Sequence, residues 1–179
     1  IYEHNKGATK VERLILTTIR SITSSKSDRD PLSRKWVKDK ITNKYDIKNR
    51  PIKRVFIPRQ NMKRGHIINY DGFLSILKKY DFEIFNPTFN SFKENVNYFS
   101  NMNLLISTHG AALANMIFSL RNDLEVIEIS FGEKWKKDPY YFTAIEFNYG
   151  FQSLKAKEIV KESNQCCIVN LLDLEKLIL

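Results

Sequence analysis

His109 and Gly110 stand between two apolar runs, Leu104-Leu105-Ile106 and Glu125-Val126-Ile127-Glu128-Ile129, at the head of a small-residue segment from Ala111 to Phe118. The runs read as short buried strands and the segment between them as a helix, which makes Ser107-Thr108-His109-Gly110 the turn that opens the helix. Such a turn is suited to an anion. The first N–H groups of a helix lack partners within it, and they lie at the positive end of its dipole. Glu128 is a second chemical signal, since a carboxylate inside an apolar strand is costly unless it has a polar partner or an edge position. Arg59 is a third, just beyond the strand-like run Arg54-Val55-Phe56-Ile57 and Pro58.

These residues need a scaffold, and the pattern around them supplies one. Asn69 or Asp71 can cap a helix in which Phe73, Ile76, Leu77 and Tyr80 follow helical spacing. Phe82 to Phe85 is a strand stopped by Asn86-Pro87. Ser91 with Glu94 three residues later marks a capping box for a helix that buries Phe92, Val96 and Phe99. After the strand at 125 to 129, residues 140 to 149 read as a helix, Cys166 to Val169 as a strand and the apolar end of the chain as a last helix. Pro31 opens a basic helix with Trp36, Val37 and Ile41 on one face. Residues 1 to 30 hold a strand-like Leu14-Ile15-Leu16 run and a polar loop, and are taken as an arm or the remnant of a preceding domain.

Short strands alternating with helices specify an α/β domain over residues 31 to 179, a Rossmann-like parallel sheet with helices on both faces. Ligands of such sheets bind beyond the carboxyl ends of the strands, where Arg59, Ser107 to Gly110 and Glu128 are placed. No Gly-x-Gly-x-x-Gly or Gly-x-x-x-x-Gly-Lys pattern is present.

The 179 residues carry 29 Lys+Arg against 20 Asp+Glu, a net charge of +9, so anionic partners are expected. Lys35, Lys38, Lys40, Lys44, Lys48, Arg50, Lys53 and Arg54 recur through one stretch, read as a solvated basic face rather than a nucleic-acid footprint. Cys166 and Cys167 are adjacent and do not form a disulfide framework, and His4, His66 and His109 have no partner at zinc-site spacing, so no metal is expected. No apolar run approaches the roughly 20 residues of a membrane span. The chain opens on Ile1 and is read as a fragment or processed product, with a cytoplasmic setting as the first expectation and the secretory lumen as the alternative.

The ordered set Pro58-Arg59, Arg64 through Ile67-Ile68-Asn69, Asp81-Phe82-Glu83-Ile84, Phe92 to Val96, His109-Gly110-Ala111-Ala112-Leu113-Ala114-Asn115 and Ile127-Glu128 resembles glycosyltransferase family 61. That family includes xylan arabinosyl- and xylosyltransferases, O-linked N-acetylglucosaminyltransferases and capsular-polysaccharide proteins. Ala112 stands where the family usually has a second Gly, Ala114 where it has Thr, Asn95 where it has Gln and Pro58 where it has Ser. The start of the helix keeps its small residues, but one hydroxyl is missing.

The resemblance implies the C-terminal, donor-binding half of a GT-B enzyme, which transfers a sugar from a nucleotide diphosphate to a glycan or glycoprotein hydroxyl with inversion and without a metal. It implies no cofactor beyond the donor, a UDP-sugar by first expectation, and a separate N-terminal acceptor domain as a partner. In these terms Arg59, Arg64, His109, Gly110 and Ala111 hold the diphosphate, Glu128 accepts from ribose, and Asn69 and Asn115 are structural or touch the donor. His109 is the one side chain of this cleft that titrates near neutral pH, so it is either the catalytic base or a diphosphate ligand. Three other readings stay open: Arg59 and Arg64 as surface charges, the chain as a polyanion-binding module, and a transferase homologue without activity. Asp28-Arg29-Asp30 also spells the Asp-x-Asp metal motif of the other major transferase architecture, but it follows a Ser-rich loop rather than a strand.

Overall fold

A computed structural model describes residues 31–45, 47, 51–59, 64–131, 139–161 and 164–179. In chain order the elements are α1 (Pro31–Tyr45), β1 (Lys53–Ile57), β2 (Arg64–Ile67), α2 (Tyr70–Lys79), β3 (Phe82–Ile84), a one-turn 3₁₀ helix (Pro87–Phe89) and α3 (Phe92–Phe99). They continue with β4 (Met102–Thr108), a longer 3₁₀ helix (Ala111–Phe118), β5 (Glu125–Phe131), α4 (Pro139–Glu146), β6 (Gly150–Lys161), β7 (Asn164–Ile168) and α5 (Leu171–Ile178). The arm at residues 1 to 30, with its Leu14-Ile15-Leu16 run and Asp28-Arg29-Asp30, lies outside the described residues.

The strands form one seven-stranded sheet in the order β2-β7-β6-β5-β4-β1-β3. Side chains alternate between its faces and bury two cores. Phe56, Leu104, Ile106, Ile127 and Ile129 point to one face, where Phe73 and Leu77 of α2 and Leu174 and Ile178 of α5 cover them. Val55, Ile57, Leu105 and Val126 point to the other, under Val96 and Phe99 of α3, Leu113 and Met116 of the 3₁₀ helix and Ala144 of α4. An α/β sheet with helices on both faces is therefore present, and it is mostly parallel. β3, β1, β4, β5 and β6 run in one direction, but β7 is antiparallel to β6, with β2 parallel to β7.

Two strands were not foreseen. β6 is the longest in the sheet, and its polar alternation, in which Leu154 and Ala156 are buried while Lys155 and Lys157 are exposed, gave no apolar run. Gly150 to Ala156 pair with β5, and Lys157 to Lys161 pair with β7, so this one strand joins the two directions. β2, Arg-Gly-His-Ile, has Ile67 as its only large apolar residue and so carries no strand pattern in the sequence.

Other side chains also differ from expectation. Trp36 is 61% and Val37 36% exposed, so α1 docks through Ile41 and Tyr45 instead. Phe92 is 46% exposed and meets Tyr45 and Phe118 by its ring edges. The helix read at 140 to 149 stops at Glu146. Lys38 is not part of a solvated face: its Nζ donates to the Tyr149 hydroxyl at 3.1 Å and lies 5.1 Å from the Phe147 ring centroid. Burial lowers its pKa. The Ser91–Glu94 capping box is present in both directions.

Asn69 occupies the N-cap position of α2, but its side chain does not cap. It bonds Val169 reciprocally instead, with Nδ2 donating to the Val169 carbonyl at 2.8 Å and Oδ1 accepting from the Val169 N–H at 3.1 Å. Asn69→Ala therefore removes two hydrogen bonds at once. A loss of about 1–3 kcal/mol in denaturant unfolding is expected, with no change in m-value.

Burial pushes the Cys167 thiol from its ordinary 9.0 up to about 12, with Cys166 adding to the effect, and pushes the Tyr149 hydroxyl from 10.0 up to about 12. Both groups are thus held neutral in the fold, and the unfolded chain releases their protons first. The resulting stability is complete below about pH 9 and is lost as pH rises toward 12. Urea midpoints should fall through that window, and less steeply in Cys167→Ala.

Candidate functional site

β4 delivers the site because its end is fixed on both sides. Ser107, fully buried, donates its hydroxyl to the Ile57 carbonyl of β1 at 3.1 Å, and the His109 N–H continues the ladder to the Ile129 carbonyl of β5 at 2.9 Å. The strand thus runs to Thr108, two residues past its expected end, and the turn is reduced to His109 and Gly110. Gly110 has φ +156° and ψ 177°, a region that is essentially reserved for glycine. The segment that follows is a 3₁₀ helix rather than an α-helix.

Glu128 pairs with Ser107 in the parallel register of β4 and β5, and His109, two residues on from Ser107, is its diagonal neighbour. The Glu128 carboxylate is 0% exposed, and its Oε1 lies 2.7 Å from Nδ1 of His109, whose side chain is 47% exposed. Glu128, expected to accept from ribose, is placed behind His109 and supports its ring. With the carboxylate ionised, Nδ1–H donates to it, and Nε2 is left as the acceptor on the opposite side of the ring. Tyr140 of α4 stands edge-on to the imidazole with ring centroids 5.6 Å apart.

Arg59 meets this turn from β1. Its Nη1 donates to the His109 carbonyl at 3.1 Å, and its Nε is buried with no hydrogen-bond partner among the described residues. The approach to Gly110 is so close that a Cβ there would lie 1.3 Å from Nη1. Gly65 closes the other side. It sits at a register shift in β2 with φ +87°, and a Cβ there would come within 2.7 Å of Thr108 Oγ1 and 3.5 Å of Arg59 Nε. Thr108 Oγ1 is likewise buried with no partner among the described residues. Thr108 was placed at the site only as part of the Ser107 to Gly110 turn, and Gly65 was not singled out, because a lone glycine in a basic segment carries no distinguishing signal.

Arg64 begins β2, opposite Gln165, and its side chain lies outside the described atoms. Asn115 holds the 3₁₀ helix through Nδ2, which donates to the Ala112 carbonyl at 2.9 Å. It also lines a cavity of about 540 Å³ shared by Pro58, Arg59, Tyr70, Asn86, Thr88 and Ala111. Arg59, Gly110, Ala111 and Asn115 therefore meet at one place with the His109 main chain, while Asn69 belongs to the α2–β7 junction. Among the described residues, no group of three or more His, Cys, Asp and Glu side chains comes together to hold a metal, and no helix is long and apolar enough to cross a membrane.

A mostly parallel α/β sheet covered by helices on both faces is of the Rossmann-like class. The family model described as Glycosyltransferase 61 matches residues 9–127, and the chain belongs to that family. No curated protein matches it. Family membership makes the chain a glycosyltransferase by descent, with a sugar donor and an acceptor as the substrates of that chemistry.

Gly110→Ala places a methyl group inside the Arg59 guanidinium. It should displace Arg59 and cost about 1–3 kcal/mol of stability, read by thermal unfolding, whereas Ala114→Gly at an exposed position of the same helix should cost about 1 kcal/mol or less.

Proposed function

We propose that this chain is the donor-binding half of an inverting, metal-independent transferase of the GT-B architecture, which moves a sugar from a nucleoside diphosphate to a hydroxyl of a glycan or glycoprotein. One observation carries the reading: the Arg59 guanidinium lies directly on the His109-Gly110 turn at the head of the 3₁₀ helix, held by the His109 carbonyl. A guanidinium beside main-chain N–H groups suits the oxygens of a diphosphate.

In the transfer, the acceptor oxygen attacks the anomeric carbon as the bond from that carbon to the diphosphate oxygen breaks. Negative charge then grows on the leaving diphosphate, and Arg59 with the N–H groups after His109 offsets it without a metal. The acceptor proton must go to a base. His109 Nε2 fills that role here, and Glu128, behind Nδ1, fixes the ring orientation and stabilises the imidazolium that forms. The donor is taken to be a UDP-sugar, and a further domain presents the acceptor. The polyanion-module reading is weakened by Lys38, which is used internally on Tyr149, and by Lys53, which donates to Glu83 at 2.7 Å.

The rate of nucleoside diphosphate release from a donor sugar tests this mechanism. Arg59→Ala and His109→Ala should each slow transfer by about 10²-fold or more. Glu128→Gln should lower kcat with little change in KM, because it acts through His109 rather than on the donor. Full turnover by a correctly folded Arg59→Ala protein would remove the diphosphate role.

A further inference from the structure

α1 docks on the domain along one side. Arg34 pairs with Glu146 of α4, Lys38 donates to the Tyr149 hydroxyl, and Ile41 and Tyr45 join the core shared with α3 and the longer 3₁₀ helix. Those four residues recur at the spacing of a single helix face. The outer face carries Trp36, Lys40 and Lys44, all exposed, one helical turn apart and spanning about 12 Å along the axis. Lys40 Nζ lies 5.8 Å from the Trp36 ring centroid, and Lys44 Nζ 5.7 Å from that of Tyr45, so both amines stand over aromatic rings.

The row continues past the end of the helix. Tyr45 meets the exposed Phe92 ring edge-on, with centroids 6.0 Å apart, and Lys93 beside it is exposed. Phe92 opens α3, whose first turn is tied to the strand-end rim: Asn95 Nδ2 donates to the Pro87 carbonyl at 2.9 Å, and Pro87 lines the cavity of about 540 Å³ with Arg59. Alternating cations and rings thus lead from the middle of α1 to the edge of the site. Of the nearby acids, Asp39 is one turn from Lys35, and Glu94 is engaged by the Ser91 N–H and hydroxyl, so the row stays net positive. Amines at such intervals suit the acidic groups of an extended anion, and the indole face suits the C–H face of a ring. A nucleic-acid strand favours the bidentate forks of arginine, which this row lacks. A lipid surface requires a broad apolar face to embed, and here Trp36 has only Val37 for company on α1.

We infer that the outer face of α1, with Trp36, Lys40 and Lys44 continued by Tyr45 and Phe92, binds an acidic glycan chain, the acceptor behind the end that receives the sugar. The inference rests on the proposed transferase function and names the class of its acceptor. The further domain presents the acceptor's end, and α1 holds the length behind it. The basic stretch then has two uses: Lys38 is spent on docking the helix, and the lysines of the outer face are kept for the ligand.

Calorimetric titration of the whole chain, without nucleotide and at about 0.15 M salt, tests this with polygalacturonate, dextran sulfate, neutral dextran, an oligothymidylate and phosphatidylserine vesicles. Trp36→Ala and the pair Lys40→Gln with Lys44→Gln alter the row, while Lys155→Gln with Lys157→Gln removes the same charge from exposed positions of β6. Circular dichroism and a thermal melt establish that all are folded. An acidic glycan should bind saturably and neutral dextran should not. Its affinity should fall about tenfold in each row variant and stay within about twofold in the β6 pair. Lack of saturable binding by both acidic glycans, an equal loss in the β6 pair, full affinity in Trp36→Ala, or tighter Trp36-dependent binding of the oligonucleotide or the vesicles would overturn the inference. Arg59→Ala should leave glycan affinity unchanged, so full turnover by that variant would remove the donor site and leave the row standing.

Discussion

The Arg59 guanidinium is held where backbone comes closer than any side chain would permit. Gly110 on one side and Gly65 on the other leave room only for hydrogen, and a methyl group on either would overlap or crowd Arg59 and Thr108. This crowding positions the cation with no acidic partner among the described residues. An arginine paired with a carboxylate already has its charge satisfied, whereas one bonded to a main-chain carbonyl keeps charge available for a ligand.

That crowding has its origin in the strand order. β1 and β2 are separated by only six residues in sequence, yet they lie five strand positions apart in the sheet. In a flat sheet that separation would be about 24 Å at the usual strand spacing, close to the full stretch of the connecting chain. Instead β6 changes partner part-way along, from β5 to β7, and β7 brings β2 to the end of β4, where Gly65 meets Thr108. The antiparallel β6–β7 pair, the one departure from a parallel sheet, therefore closes the site.

Much of this was legible in the residues. Leu104 to Ile106 and Val126 to Ile129 announced strands buried on both faces, and Ser91 with Glu94 announced a helix start that the structure realises in full. Glu128 was legible as a problem, because a carboxylate in an apolar strand requires a partner. Its partner was not, since naming His109 requires the register that sets Ser107 opposite Glu128. β6 was hidden by its lysines: an alternating strand with one wet face lacks the apolar run that marks a doubly buried strand. Asn86-Pro87 was read only as a strand stop, because which loop residues line a cavity depends on what faces them in space.

The reciprocal bond between Asn69 and Val169 ties two distant parts of the chain together. Tyr70, the next residue along, is a wall of the cavity, and Val169 leads directly into α5, whose Leu174 and Ile178 pack in the same core as Phe73 of α2. The last ten residues thus act as a brace for a pocket assembled far upstream. Stiffness of this cavity wall is in that sense a property of α5 as much as of α2, so a change in either helix is felt in the other.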